Sequence, residues 1–115
     1  HLIQVARAND FTLFEFFQTD QAGHTNDRDT VVTTLRKLDA FLAALCPLAA
    51  DMNMLVTITS DHGNIESLRS HSHTFNPVPL ITLGPGAHRV RDGATNLMEV
   101  LPRLLDTLVA PNTSK

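Results

Sequence analysis

The stretch MLVTITSDHGNIESLRSHSHTFNPVPLITL, residues 54–83, sets a group of histidines between two short apolar runs. The first run, MLVTIT at 54–59, and the second, VPLITL at 78–83, have the length and the β-branched content of strands. One aspartate and three histidines fall within the thirteen positions 61–73 that lie between them. Any function proposed for the chain has to account for imidazoles concentrated in this one connection.

The segment at 27–45 carries the period of a helix. Its apolar residues recur at alternating spacings of four and three: Val31, Leu35, Leu38, Leu42 and Leu45. This spacing places them on one face, which we expect to form core rather than to bind a cofactor. Asp27 is suited to cap the first turn. Pro47 is predicted either to end the helix or to kink it before a last turn through Asp51.

The remaining elements predict an α/β fold. HLIQVARAND at 1–10 is typical of the end of a helix, and TLFEFFQ at 12–18 is predicted to be a strand because it is apolar almost throughout. Residues 96–109 are predicted to be helical, with a regular helix that begins near Val100 and holds Pro102 in its first turn. Strands that alternate with helices predict a mostly parallel sheet sandwiched by helices, with right-handed crossovers.

Composition limits the class of protein. The 115 residues suffice for one domain with one core, and 43% hydrophobic with 18% charged residues is a globular composition. A net charge of −3 without a basic stripe argues against a nucleic-acid partner. No apolar run approaches the ~20 residues of a membrane-spanning helix, so no membrane partner is expected.

Three smaller features set further expectations. A single cysteine, Cys46, excludes an intrachain disulfide and favours a reducing, cytoplasmic location. The chain starts at His1 inside a helical pattern, which predicts that it is a piece of a longer protein. The tail at 110–115 is expected to be loosely ordered.

Three polar clusters lie next to the predicted strands. TDQAGH at 19–24 follows the first strand, SDHGN at 60–64 follows the second, and HSHT at 71–74 precedes the third. In open parallel sheets, ligands bind beyond the carboxyl ends of the strands. The three clusters are therefore predicted to converge.

The residue types in these clusters suit a divalent metal, because zinc and manganese bind carboxylate oxygen and imidazole nitrogen. Asp20, His24 and one of the later histidines would supply three ligands and leave an open position, as in catalytic sites. Asp61 and His62 could hold a second ion if the strand breaks at Gly63. Each motif also has a simpler interpretation: a turn, an aspartate cap, or solvated histidines in a surface loop.

TSDHGNIES followed by HTFNPVP resembles the C-terminal signature of the alkaline phosphatase superfamily, in the branch of cofactor-independent phosphoglycerate mutase and phosphopentomutase. That branch has a D-H-G-N run after a strand, then a histidine-threonine pair shortly before N-P-V-P. It also has an upstream D-x-x-x-H, which Asp20 and His24 match in TDQAGH. All three motifs occur in the family's order, and the resemblance runs from about residue 13 to residue 108.

The resemblance implies two divalent ions, Mn²⁺ or Zn²⁺, and five ligands: Asp20, His24 and His73 for one ion, and Asp61 and His62 for the other. His73 is chosen because it precedes Thr74 and the N-P-V-P run. His71, two residues earlier, is the alternative. The resemblance also implies an alkaline-phosphatase-like sheet, of which residues 1–115 would be the C-terminal part.

The activity implied by the resemblance is two-metal-dependent phosphoryl transfer on a small phosphate ester. A serine or threonine attacks, and its phosphoryl group passes to water in a phosphatase or to a second hydroxyl in a mutase. The family's nucleophile and its N-terminal metal-binding aspartate have no match in this chain, so the chain is expected to be inactive alone.

Several alternatives and partners stay open at this point. The chain could be a sulfatase or phosphodiesterase relative, or a non-catalytic scaffold. The expected partners are a small phosphorylated metabolite and either the missing N-terminal segment or a second copy. The last two would pair through an exposed sheet edge.

Overall fold

Helices make up most of the part of the chain that the computed structural model describes, residues 1–109. The elements are, in order, α1 (Leu2–Arg7), α2 (Gln18–Gly23), α3 (Arg28–Asp51), β1 (Val56–Thr59), β2 (Leu80–Leu83), α4 (Ala87–Gly93) and α5 (Leu97–Val109). The helix predicted at the start of the chain is therefore confirmed as α1. The expectation for 110–115 lies outside the described residues.

The long helix α3 forms where its apolar period predicts it. Asp27 caps it, because its carboxylate accepts the backbone N–H of Thr30 at 3.0 Å. Of the predicted apolar face, Val31 is buried but Leu35 is 42% exposed, so the expectation that this face forms core is met only in part. The helix continues through Pro47 to Asp51, so the prediction of a last turn beyond the proline is confirmed.

The sheet differs from the sequence prediction. β1 and β2 pair antiparallel, with Val56 opposite Leu83 and Thr59 opposite Leu80. A mostly parallel sheet is therefore wrong for this pair. The reason lies in the connection at 60–79, which contains no helix, whereas parallel neighbours need a crossover that is usually helical. Helices and a sheet do combine, so the α/β expectation holds at that coarser level.

The strand predicted at 12–18 is wrong. Residues 12–16 belong to no helix or strand, and α2 begins at Gln18. The sheet of the described residues contains β1 and β2 alone, so this apolar run has no strand beside it. Its side chains accordingly stay outside the core, with Leu13 75% and Phe17 66% exposed.

The C-terminal region contains one helix that the sequence did not predict and one that begins earlier than expected. α4 follows Gly86, whose φ of 76° ends the preceding turn in a conformation suited to glycine. α5 begins at Leu97 rather than near Val100, so Pro102 lies beyond the first turn. The earlier start follows from Asn96, whose side-chain Oδ1 accepts the backbone N–H of Met98 at 3.0 Å and so caps the first turn.

The core is small for a chain of this length. Among residues 1–109, the buried apolar side chains are Ala22, Val31, Ala49, Val90 and Val100. The Cα radius of gyration is 15.6 Å, against about 13 Å for a compact domain of this size. None of the described helices combines the length and apolar composition that a membrane crossing requires. For the site, α2 packs on α3, while β1 and β2 hold the ends of the 60–79 connection.

Candidate metal centre

Three segments bring the predicted ligands to one place. Asp20 lies in the first turn of α2, and His24 is the residue that ends this helix, with its N–H donated to the carbonyl of Asp20 at 3.1 Å. Their i, i+4 spacing puts both side chains on one face. His62 follows β1, and His73 lies in the loop that returns to β2. We call Asp20, His24, Asp61, His62 and His73 the histidine cluster.

The carboxylate of Asp20 is the centre of the histidine cluster. Its Oδ1 lies 3.4 Å from Nε2 of His24, 3.4 Å from Nε2 of His73 and 3.9 Å from Nε2 of His62. The rings of His62 and His73 stack with centroids 3.6 Å apart. The ligand atoms of Asp20, His62 and His73 all lie within 4.8 Å of one another. Residues separated by more than fifty positions therefore share one site.

Asp61 lies at the edge of the cluster. Its Oδ2 is 3.4 Å from Nε2 of His62, and its side chain is 84% exposed. His62 thus stands between Asp61 and Asp20, whereas the sequence prediction grouped His62 with Asp61 alone. The assignment of particular ligands to particular ions stays a prediction.

His71 and His73 occupy different positions. Nδ1–H of His71 donates to the carbonyl of His24 at 2.8 Å, and Nδ1–H of His24 donates to the carbonyl of His71. These reciprocal bonds join the loop to the end of α2. In the neutral imidazole, a proton on Nδ1 makes Nε2, the atom that lies 3.4 Å from Oδ1 of Asp20, the one that a metal can bind. His73, not His71, meets the carboxylate of Asp20.

Asn64 orients Asp20. Its side chain is 5% exposed, and its amide Nδ2 donates to Oδ1 of Asp20 at 2.7 Å and to the Asp20 carbonyl at 3.2 Å. The hydrogen bond from Asn64, followed by the nearby imidazoles, holds the pKa of Asp20 below its ordinary value. Gly23 allows this approach, since a Cβ there would lie 2.2 Å from Oδ1 of Asn64. The D-H-G-N motif marked Asn64 in the sequence without distinguishing this role from that of a turn residue.

Glu66 is a residue that sequence reasoning missed. Its Oε2 accepts the backbone N–H of Asn64 at 2.7 Å, while its Oε1 accepts the hydroxyl of Thr74 and, at 2.9 Å, the amide of Asn76. These bonds, that of Thr74 first, lower the pKa of Glu66 to about 2. An exposed carboxylate in a loop carries no pattern that would have singled it out.

The donor set and its spacing fit a divalent ion. Two ligands bound ~2.1 Å from a tetrahedral ion lie about 3.4 Å apart, and Oδ1 of Asp20 is 3.4 Å from Nε2 of His73. That separation exceeds the ordinary length of a direct hydrogen bond.

Comparison with known proteins places the chain among metalloenzymes. The family model described as Metalloenzyme superfamily matches residues 2–111. Three relatives are all named 2,3-bisphosphoglycerate-independent phosphoglycerate mutase. That of Halobacterium salinarum is 35% identical over 107 residues, which are 86% of this chain and 21% of the relative.

The other two relatives give the same picture. That of Acetivibrio thermocellus is 32% identical over 106 residues, 86% of the chain and 20% of the relative. That of Helicobacter pylori is 30% identical over 118 residues, 97% of the chain and 24% of the relative. The chain thus spans about a fifth to a quarter of the length of these relatives. No solved structure matches the chain.

Proposed function

We propose a function from one premise: the chain belongs to the Metalloenzyme superfamily. The resemblance to the phosphoglycerate mutase branch of the alkaline phosphatase superfamily is confirmed by the family match and by relatives of that name. Membership implies divalent metal cofactors. The number of ions, their identity and the activity of the whole protein are what we propose.

The proposed activity is metal-dependent phosphoryl transfer on a small phosphate ester, with this chain supplying most of the metal ligands. One observation carries the proposal: Asp20, His62 and His73, which come from three separate segments, present ligand atoms within 4.8 Å of one another. We propose two ions, Mn²⁺ or Zn²⁺, with Asp20, His24 and His73 as one ligand set and Asp61 with His62 as the other.

Each residue would have a distinct task in this site. When bound, divalent ions supply Lewis acidity that activates a hydroxyl nucleophile and draws charge off phosphate oxygens. Asp20 provides the negative charge at the centre of the cluster, and Asn64 holds its carboxylate in place. His24 keeps its proton on Nδ1 by donating to the carbonyl of His71, so its Nε2 is available as a ligand.

The attacking hydroxyl is proposed to come from a part of the longer protein outside residues 1–115. The relatives named as mutases favour transfer to a second hydroxyl of the substrate over transfer to water. A phosphorylated metabolite of the phosphoglycerate type is accordingly the proposed substrate. A cytoplasmic location is proposed on the grounds of the single Cys46 alone.

Calorimetric titration of the chain with Mn²⁺ and Zn²⁺ tests the metal-binding part of this proposal. Wild type should bind, His73→Ala should lose most of its affinity, and His71→Ala should lose less, since His71 does not meet the carboxylate of Asp20. Equal losses of metal affinity in the two variants would contradict the assignment of His73, rather than His71, as a ligand. No binding by wild type would remove the proposed site.

Activity has to be measured on the longer protein. With phosphoglycerate as substrate, a mutase converts one positional isomer into the other without release of inorganic phosphate. Release of phosphate at the same rate as substrate loss would instead identify a phosphatase. Turnover that survives complete removal of divalent ions would contradict the proposal as a whole.

A further inference from the structure

The loop that carries His62 and the loop that carries His73 are joined through one carboxylate. Between β1 and β2 the chain forms no helix, and one isolated bridge pairs Gly63 with Thr74. Its backbone bond, from the N–H of Thr74 to the carbonyl of Gly63, is 2.8 Å long. Apart from this bond, each loop is attached to α2 separately, through Asn64 to Asp20 and through His71 to His24. A second connection between the two loops themselves would fix how the two imidazoles face each other.

Glu66 makes that second connection. One of its carboxylate oxygens accepts from the first loop, through the N–H of Asn64 at 2.7 Å. The other oxygen accepts from the second loop, through the hydroxyl of Thr74 and the amide of Asn76. A carboxylate can receive these donors at once because both of its oxygens are acceptors. Charge makes each of these bonds stronger than a neutral one.

The bonds of Glu66 lead directly to the proposed ligands. Asn64, whose N–H it receives, holds Asp20 through its side chain. Thr74, whose hydroxyl it receives, is the neighbour of His73 along the chain. The hydrogen-bond partners of Glu66 among the described residues are Asn64, Thr74 and Asn76, none of which is a proposed metal ligand. It is placed to set the geometry of the cluster without taking part in it.

We propose that Glu66 is a positioning residue for the metal centre: by clamping the 62–64 loop to the 73–76 loop, it holds the imidazoles of His62 and His73 in register with Asp20. The inference rests on the proposed function in so far as the centre binds a metal. Residues that orient metal ligands typically contribute ten- to hundredfold in metal affinity.

The chain offers a matched pair of variants. Glu66→Gln keeps the size of the side chain but replaces one acceptor oxygen by an NH₂ group, which cannot accept from either loop. Glu99→Gln makes the same chemical change on α5, where Glu99 also receives one backbone N–H and one threonine hydroxyl, both from Thr95. Any general effect of removing such a carboxylate should appear in both variants.

Ring geometry is measured first, in the metal-free chain, by the nuclear Overhauser effect between the ring protons of His62 and His73. Wild type and Glu99→Gln should show it, since the centroids are 3.6 Å apart, and Glu66→Gln should lose it. Cobalt(II) is then used as the probe metal. Glu66→Gln should bind it about tenfold more weakly, with an altered visible absorption spectrum, and Glu99→Gln should match wild type.

Two outcomes would overturn the inference: an unchanged ring contact and cobalt spectrum in Glu66→Gln, or equal losses in Glu99→Gln. Absence of the ring contact in wild type would overturn it as well. If wild type binds no cobalt while its ring contact still depends on Glu66, the proposed function fails and the positioning role stands. The two ideas can therefore fail separately.

Discussion

The histidine cluster and the aromatic segment, residues 11–17, are organised by opposite means. The cluster lies at the surface, yet its polar groups are joined to one another across three segments by hydrogen bonds and close contacts. The aromatic segment is apolar almost throughout, yet Leu13, Phe14 and Phe17 are all more than half exposed. Its aromatic contacts within the described residues are with α3, where Phe41 contacts Phe14 and Phe16 with ring centroids 5.2 and 6.4 Å apart.

This difference shows what each kind of contact needs. A directional hydrogen bond needs two atoms in the right place, so a short loop can complete it. Hydrophobic burial scales with area, so an extended segment that is apolar on both faces needs a surface against each of them. The chain provides the directional hydrogen bonds that its histidine cluster needs. For the aromatic segment, the described residues leave the side chains of Leu13, Phe14 and Phe17 more than half exposed.

The largest effect is expected at Asp20, whose carboxylate holds the histidine cluster together; if Asp20 were dispensable, the contrast with the aromatic segment would fail. Asp20→Asn keeps the shape of the side chain and an oxygen that Asn64 can reach, but it removes the central charge. We expect a loss of Mn²⁺ affinity of more than about a hundredfold, measured by calorimetry. Asp61→Asn is the control, and its effect should be smaller because Asp61 is 84% exposed and, among the described residues, forms its ion pair with His62. If Asp61→Asn lowered the Mn²⁺ affinity as much as Asp20→Asn, Asp20 would not be the central ligand of the site.

Gly23→Ala tests whether the cluster depends on close fit. The new Cβ would lie 2.2 Å from Oδ1 of Asn64, a short and buried side chain that can yield only by releasing Asp20. We expect destabilisation by about 2 kcal/mol in urea unfolding, with weaker metal binding.

The control for this prediction is Gly93→Ala. Gly93 also ends its helix, but its Cβ would meet the flexible end of Arg103, which can move aside. We expect a change within about 0.5 kcal/mol. A stabilised Gly23→Ala variant would mean that Asn64 and Gly23 do not fit as closely as described.

The aromatic segment is expected to be covered by a second copy of the chain or by the N-terminal segment that the resemblance implies. The chain alone should therefore self-associate, and Leu13→Ser should weaken this about tenfold, measured by light scattering over a concentration series. Met98→Ser is the control, since Met98 is equally apolar and 86% exposed but lies on α5. A monomer at high concentration would contradict the prediction.

The smallest expected effect is the pH dependence of the Glu66 contacts. The pKa of Glu66 falls from its ordinary 4.5 to about 2 in the folded chain. Its ionised form therefore stabilises the fold fully above pH 4.5, and this contribution is lost as the pH falls towards about 2.

Because Glu66 is exposed to solvent, we expect Glu66→Gln to cost about 1 kcal/mol at neutral pH. In urea unfolding at a series of pH values, this difference from wild type should shrink below pH 4.5 and vanish near pH 2. A difference that is constant across this range would mean that the charge of Glu66 contributes nothing to stability.

Much of the helical structure could be predicted from the sequence. The period of Val31, Leu35 and Leu38 marks α3, and Asp27 caps it as expected. The residues of the cluster were all identifiable from their motifs, although their ligand roles stay predictions. What failed was pairing: neither the isolation of the 12–18 run nor the antiparallel pair β1–β2 has a local signal, because both depend on which segments lie side by side.

By itself, the sequence determined the features that depend on near neighbours: the helix α3, its cap, and the supply of carboxylate and imidazole in short motifs. Tertiary structure alone decided that Asn64 orients Asp20 and that Glu66 joins two loops, whereas the choice of His73 over His71 had already followed from the resemblance. The physical reason is the separation along the chain of the residues that are in contact. A helix repeats contacts within one turn, whereas the donors and acceptors of a folded loop are chosen among atoms far apart along the chain.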